Sequence, residues 1–470
     1  MLIVLLAFLT VLMLLEQPQL LMPAAGGPWA LGGAIAIYLL VSAAGAGINS
    51  LLSRRALNRR GELVWPAVTR RHRAWSAAVQ VWLIGGLGGL ILLGLGRWAL
   101  ENRFVGPLPL APQLVALSPF AAALVLVWVG DYPFHRAFRL RVVQNLAESA
   151  GVGVWSMREY LDYNLRHNLL FIAVPVSLIV AATDALRLYV HPLLPARLAD
   201  PVVLIGTLLV AGAVFLVSPL LIVRIWRTSP LPPGRLREQL ENTCRRLKLR
   251  CRDILVWRSG NTVANAGMMG LVGPLRYVLL TDALLANLDA RGVAAIFAHE
   301  AGHILHRHIP YAAIFAVAVM GLSGAAADVL VAQAGFSPWW AQGVMLALLV
   351  SAWAWGFGRL SRMFERQSDV TAAALAGEEP GESWNDQPIT QLGAATFAMA
   401  LQRVAQLNGT GPYQRNWRHG SIAHRVGYVL WLAGAGGSPA ALARTVRRVK
   451  VGLLLALSAA ISLIAWNLAQ

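Results

Sequence analysis

"FAHEAGHILHRH", residues 297–308, runs without a break into "IPYAAIFAVAVMGLSGAAADVLVAQ", 309–333. The first stretch packs four histidines and a glutamate into twelve positions. The second is long and apolar enough to cross about 30 Å of hydrocarbon. Together they place a cluster of metal-ligating residue types at the mouth of a membrane span. His299, Glu300 and His303 spell H-E-x-x-H. On a helix, positions i and i+4 share a face, so both imidazoles can reach one ion. Zinc suits two neutral imidazoles and a carboxylate, with one position left for water. The ion lowers the pKa of that water towards 7, and the neighbouring Glu300 is placed to take its proton as a general base.

The rest of the chain reads as a membrane protein. Of its 470 residues 57% are hydrophobic and only 13% charged, against about a quarter charged in soluble chains. Positions 76–96, 201–223 and 329–358 carry no charge. Apolar runs predict spans at about 1–16, 29–52, 76–97, 113–131, 168–187, 201–223, 309–333, 339–359 and 450–468, between seven and nine in all. The first has no Lys or Arg ahead of it, which favours a span over a signal peptide. The net charge of +18 is concentrated in segments that flank the spans, such as Arg54, Arg55, Arg59, Arg60, Arg70, Arg71 and Arg73, and the run 224–258. The alternation fits the positive-inside rule with a cytoplasmic N-terminus, and it puts 224–308 and 360–449 on the cytoplasmic face. Arginines distributed in this way suit anionic headgroups and form no stripe for nucleic acid. With only Lys248 and Lys450 as lysines, the bias to arginine reads as that of a GC-rich bacterial genome, and the expected location is the bacterial inner membrane.

The expected order is an N-terminal multi-span domain, 1–226; a first polar part, 227–308, with the H-E-x-x-H helix; a transmembrane helical pair, 309–360; a second polar part, 361–448; and a last span, 449–470. "SPLPPGR", 229–235, reads as the linker that ends the first domain. "RLREQLENTCRRLKL" is an amphipathic helix, and "DILVW" and "RYVLLTD" are short strands. Thr281 or Asp282 caps the next helix, and Asp289 the one through the opening motif. "AGEEPGESWNDQP", 376–388, reads as an acidic loop. Cys244 and Cys251 stand seven apart. Along one helix that is two turns, a poor geometry for a disulfide, and the cytoplasm is reducing, so both are expected as free thiols.

The third metal ligand has to come from elsewhere. His306, two turns beyond His299, is too far along the helix. The metzincin plan needs Gly at 306 and His at 309, where this chain has His306 and Ile309. "SRMFERQSD", 361–369, places Glu365 and Asp369 four apart on one helical face. Glu365 can supply the carboxylate, and Asp369 can accept the second N–H of a ligating histidine and fix its tautomer.

At this point the chain resembles the M48 family of integral-membrane zinc metallopeptidases, the CaaX-prenyl endopeptidases of eukaryotes and the HtpX-type proteases of bacteria. "AHEAGHILHRH" is similar to their zinc helix and "SRMFERQSDVTAAA" to their S-R-x-x-E-x-x-x-D-x-x-A segment. "VANAGMMG" with "LRYVLLTDALL" resembles their N-A-x-x-x-G strand and the turn after it, and "RHGSIAHRV" their late H-P-x-x-x-x-R segment, with Gly420 in place of the proline. The resemblance implies a polytopic α-helical membrane protein with a gluzincin-type α+β zinc peptidase domain at the cytoplasmic face. It implies one Zn2+ on His299, His303 and Glu365, Glu300 as general base, and Asp369 behind the ligands. It also implies that His419 and Arg425 sit near the scissile carbonyl, and that Asn265 and Ala266 lie on an edge strand that takes an extended peptide. The partners it implies are the bilayer and a peptide or protein substrate, membrane-associated. The competing readings are a signalling protease of the antirepressor-sensor type and a non-catalytic scaffold or transporter with a relic zinc site. The predicted topology leaves no long non-cytoplasmic loop for a sensor domain, and an intact ligand set with its base argues against a relic.

Overall fold

The computed structural model describes residues 2–23, 27–59, 65–146, 151–334, 344, 347–377, 389–434 and 439–469. They fall into two compact units, 1–229 with 256–263, and 230–255 with 264–470.

The first unit is a helical bundle. Its helices are α1 (Leu2–Leu15), α2 (Gly27–Arg59), α3 (Trp65–Leu90, carried on through a π turn to Glu101), α4 (Ala111–Gln144), α5 (Met157–Asn164, carried on to Leu193) and α6 (Ala196–Ile225). Its core joins Val4, Phe8 and Val11 of α1 to Leu83 and Leu87 of α3 and to Phe120 and Leu124 of α4. Small residues let α2 and α4 approach closely: a Cβ on Gly130 would lie 2.9 Å from the Gly47 backbone nitrogen. Beside that contact, polar groups pair across the bundle, His72 with Asp131 at 3.0 Å and the Phe134 N–H with Ser50 Oγ at 3.0 Å.

The second unit carries most of the strand residues. β1 (Thr228–Pro230), β2 (Asp253–Trp257), β3 (Ala266–Met269) and β4 (Tyr277–Thr281) form one sheet in the order β1-β2-β4-β3, so β3 is an edge strand. It pairs antiparallel with β4, with Ala266 opposite Leu280. The helices are α7 (Arg235–Arg246), α8 (Asp282–Asn287), α9 (Ala290–Leu305), α10 (His308–Ala334), α11 (Gly358–Ala376), α12 (Gln391–Leu407), α13 (Ile422–Gly434) and α14 (Pro439–Ala469). Thr281 caps α8 by accepting from the Leu284 N–H, and Asp289 caps α9 by accepting from the Gly292 N–H at 2.8 Å.

Six helices among the described residues are long and apolar enough to cross a membrane: 27–58, 67–101, 111–144, 157–193, 196–225 and 308–326. They correspond to six of the expected spans. The stretch expected at 1–16 forms α1, whose 14 residues reach about 21 Å. The span expected at 450–468 lies within α14. The one expected at 339–359 falls partly outside the described residues, as does most of the acidic loop 376–388.

The proline-rich stretch 229–235 contains the division between the two units at 229/230, starting on strand β1 and ending on the first residue of α7. One expectation needs correction. The two cysteines do not share a helix. α7 stops at Arg246, where the Leu249 N–H bonds Cys244 O at 2.9 Å and the Lys248 N–H bonds Arg245 O at 3.0 Å. With Lys248 at φ +52 this is a Schellman stop on a residue other than glycine. It turns the chain back, and both free thiols end 3.6 Å apart.

Candidate metal centre

The centre forms where α9 crosses α11. Gly302 makes the crossing possible: a Cβ there would stand 3.0 Å from Ser368 Cα. On α9, His299 Nε2 and His303 Nε2 face each other at 3.3 Å, and each lies 3.6 Å from an oxygen of Glu365 on α11. The three donors fall within 4.8 Å of one another. Two ligands of one tetrahedral ion with bonds of ~2.05 Å stand about 3.3 Å apart, so the donor set fits zinc in both type and spacing. His299 and Glu365 are buried, and His303 is partly so.

A tier of groups behind these donors orients them. His299 Nδ1 lies 2.9 Å from Asp369 Oδ1. A proton held there leaves Nε2 free to face the ion. Asp369, fully buried, is gripped through both oxygens by the Arg425 guanidinium at 2.6 and 2.9 Å, and Arg425 reaches Glu365 at 3.3 Å as well. His303 Nδ1 meets His308 Nδ1 at 2.9 Å, and His308 Nε2 meets Gln367 Oε1 at 3.0 Å. His306 turns away to Thr371 at 2.9 Å, because α9 ends at Leu305 and Arg307, at φ +55, redirects the chain.

Charge follows from this packing. Burial pushes His303 down to about 3, which keeps its ring neutral. Burial works the same way on His299, but Asp369 and Glu365 outweigh it and hold the ring up at about 9. Against the cost of burial, His299, His419 and Arg425 hold Glu365 well below the usual carboxylate range. Glu300 makes none of these pairings, and burial raises its carboxyl to about 7, a value suited to a base at neutral pH.

His419 enters from a tight turn. Asn416 and Gly420 exchange two backbone hydrogen bonds, and His419 Nδ1 reaches Glu365 Oε1 at 2.8 Å. Gly420 has φ +76 and donates its own N–H. A proline there could do neither, which accounts for glycine at that position. Arg425 is 8% exposed, and its donors face Asp369 and Glu365. Asn265 is exposed at the head of β3, its N–H bonded to Thr281 Oγ1 at 2.8 Å, and Ala266 is the first residue of the edge strand. Helix α9 packs against β3.

Sequence reasoning missed three contributors. His308 and Gln367 steady His303, but the break in the helix between α9 and α10 hides their approach from helical spacing. Asn408 clamps the entry to β3 from 144 positions away, bonding both the N–H and the carbonyl of Ala264 at 3.0 and 2.7 Å.

Residues 230–411 match peptidase family M48. The chain carries an M48 peptidase domain. The M48 match covers both α9 and α11 and stops short of His419 and Arg425. The fold is similar to the crystal structure of S. mikatae Ste24p, with 15% sequence identity, a TM-score of 0.54, and coverage of 87% of this chain and 100% of that one. No curated protein matches the chain. With six helices of spanning length among the described residues, the protein is a polytopic helical membrane protein whose residues 230–411 match the M48 metallopeptidases.

Proposed function

We propose that the chain is a zinc endopeptidase that hydrolyses peptide bonds of membrane or membrane-associated proteins at the cytoplasmic face of a bacterial inner membrane. The observation that carries this reading is the convergence of His299, His303 and Glu365 within 4.8 Å, with Glu300 on the same helix and unpaired with any of them. His299, His303 and Glu365 would hold the zinc, which when bound supplies Lewis acidity and a water of lowered pKa. Glu300 takes a proton from the attacking water on its carboxylate and delivers it to the leaving amine nitrogen. The substrate backbone adds to the free edge of β3, beside Asn265 and Ala266, and α9 packed on that strand brings the peptide to the zinc-binding helix. His419, half exposed beside Glu365, is the residue placed to donate to the developing oxyanion. Arg425 acts as a positioning residue, since its guanidinium already holds Asp369 and Glu365. The division of labour runs from the 227–308 part, which supplies zinc helix and strand, to the 361–448 part, which supplies Glu365, His419 and Arg425, with the 309–360 pair between them and 449–470 as a further span.

The test is Glu300→Gln in the full chain. Bound zinc should stay near one per chain while cleavage of an unfolded protein falls by about 10²–10⁴-fold, the usual worth of a general base. Cleavage at the wild-type rate, or purified wild-type protein that takes up no zinc, would overturn the reading. The same variant expressed in membranes should retain substrates long enough to be identified.

A further inference from the structure

We propose that Cys244 and Cys251 are a reversible dithiol–disulfide pair whose oxidation state is transmitted to the β3–β4 hairpin. The two sulfurs lie 3.6 Å apart, so a modest side-chain rotation brings them to the ~2.05 Å of a disulfide. Cys244 is buried on the inner face of α7, whereas Cys251 is partly exposed in the returning turn. One thiol is therefore open to attack from solution and the other is sheltered beside it. The hydrogen bond from Cys244 holds the Cys251 thiol down to about 7, so part of it is thiolate at neutral pH. That bond, together with burial, pushes Cys244 up. The asymmetry assigns the roles. The Cys251 thiolate attacks a low-molecular-weight disulfide such as oxidised glutathione, forming a mixed disulfide and expelling one glutathione thiolate. Cys244 then loses its proton and attacks the Cys251 sulfur, which forms the internal disulfide and expels the second. Two thiols lose two electrons and two protons, and one glutathione disulfide becomes two thiols.

Arg276 links this pair to the hairpin. It stands just before β4, and its guanidinium donates to Arg250 O at 3.0 Å, beside Cys251, and to Gly270 O and Leu271 O at 3.1 and 2.6 Å, in the turn of the hairpin. The Arg252 N–H bonds Arg276 O at 2.6 Å. Gly273 lies so close that a Cβ on it would stand 2.6 Å from Arg250 Cβ. Drawing Cys251 towards α7 therefore moves a residue pair that is bonded directly to the strand connection.

The full chain in detergent is equilibrated in buffers of increasing oxidised-to-reduced glutathione ratio, acid-quenched and alkylated. The wild type is expected to lose both thiols in one step, to show a peptide lighter by two hydrogens, and to recover both with dithiothreitol. Cys244→Ser is expected to stop at a glutathione adduct on Cys251. In the wild type, amide exchange across 266–281 should change by about five-fold or more on oxidation, and in Cys244→Ser it should not. A wild-type protein that accumulates the glutathione adduct, or keeps both thiols alkylatable in oxidised glutathione, overturns the pairing. An unchanged hairpin overturns the coupling. If the hairpin docks peptide, a consequence that rests on the peptidase reading above, KM follows the exchange rate while kcat holds. The thiol and exchange measurements require no cleavage, so failure of the peptidase reading would leave them standing.

Discussion

Glu300 and Glu365 occupy one site and carry opposite charge behaviour. Glu365 is surrounded by His299, His419 and Arg425, which hold it ionised, as the ligand role proposed for it requires. Glu300 is half-buried, has no such partners and rises to about 7. A general base works only when deprotonated, so cleavage is expected to be present above that value and to fall as pH drops through it, with the positive charge of bound zinc moving the limb lower. A rate profile that is flat between pH 5 and 8 would remove Glu300 from the role. His299 gives a second pH signature. Held protonated up to about 9 without metal, it must release its proton to bind, so zinc affinity is expected to climb with pH towards that value, as a titration at several pH values would read. Asp369→Asn replaces the charged acceptor that sets the His299 tautomer with a neutral amide. Loss of such a partner lowers metal affinity by about 10–100-fold, and competition with a chelator measures it.

At the scale of elements, the centre depends on two helices crossing at contact distance. Gly302 against Ser368 leaves no room for a methyl group, since backbone lies behind the serine. Gly302→Ala is therefore expected to push α9 and α11 apart and to destabilise the domain by about 1–3 kcal/mol, visible as a lowered denaturation midpoint with weaker zinc retention. Unchanged stability would mean the crossing is looser than its geometry implies. The i, i+4 spacing of His299 with His303, and of Glu365 with Asp369, follows from helix geometry alone and is legible in the sequence. His308 is not. It begins a new helix after the left-handed Arg307, and only that reversal brings its ring to His303. The same holds for Cys244 and Cys251, where spacing along a presumed helix gave the wrong distance because the helix ends between them.

At the scale of the molecule, the peptidase unit is assembled from segments distant in the chain. Phe315 of α10, Leu360 and Phe364 of α11 and Val446 of α14 form one cluster, and a Cβ on Gly356 would lie 3.1 Å from the Phe315 ring. The helix that presents Glu365 is thereby anchored against a helix of spanning length. Zinc bound only by the folded arrangement adds stability by mass action, about 2.7 kcal/mol at a hundredfold excess over its Kd. Chelation is expected to lower the Tm of the peptidase unit in calorimetry, and re-addition of zinc to restore it. A Tm indifferent to chelator would mean that His299, His303 and Glu365 do not hold metal.

The sequence by itself determined the local terms: which runs are apolar enough to span a bilayer, which helices are capped, at Asp289 and at Thr281 or Asp282, and which side chains share a helical face. Those follow from periodicity and residue chemistry within a few turns of chain. The tertiary structure alone decided which distant groups meet. Arg425 on Asp369, His419 on Glu365, Asn408 on Ala264 and the two thiols at 3.6 Å depend on chain reversals and helix crossings, whose outcome is set by long-range packing.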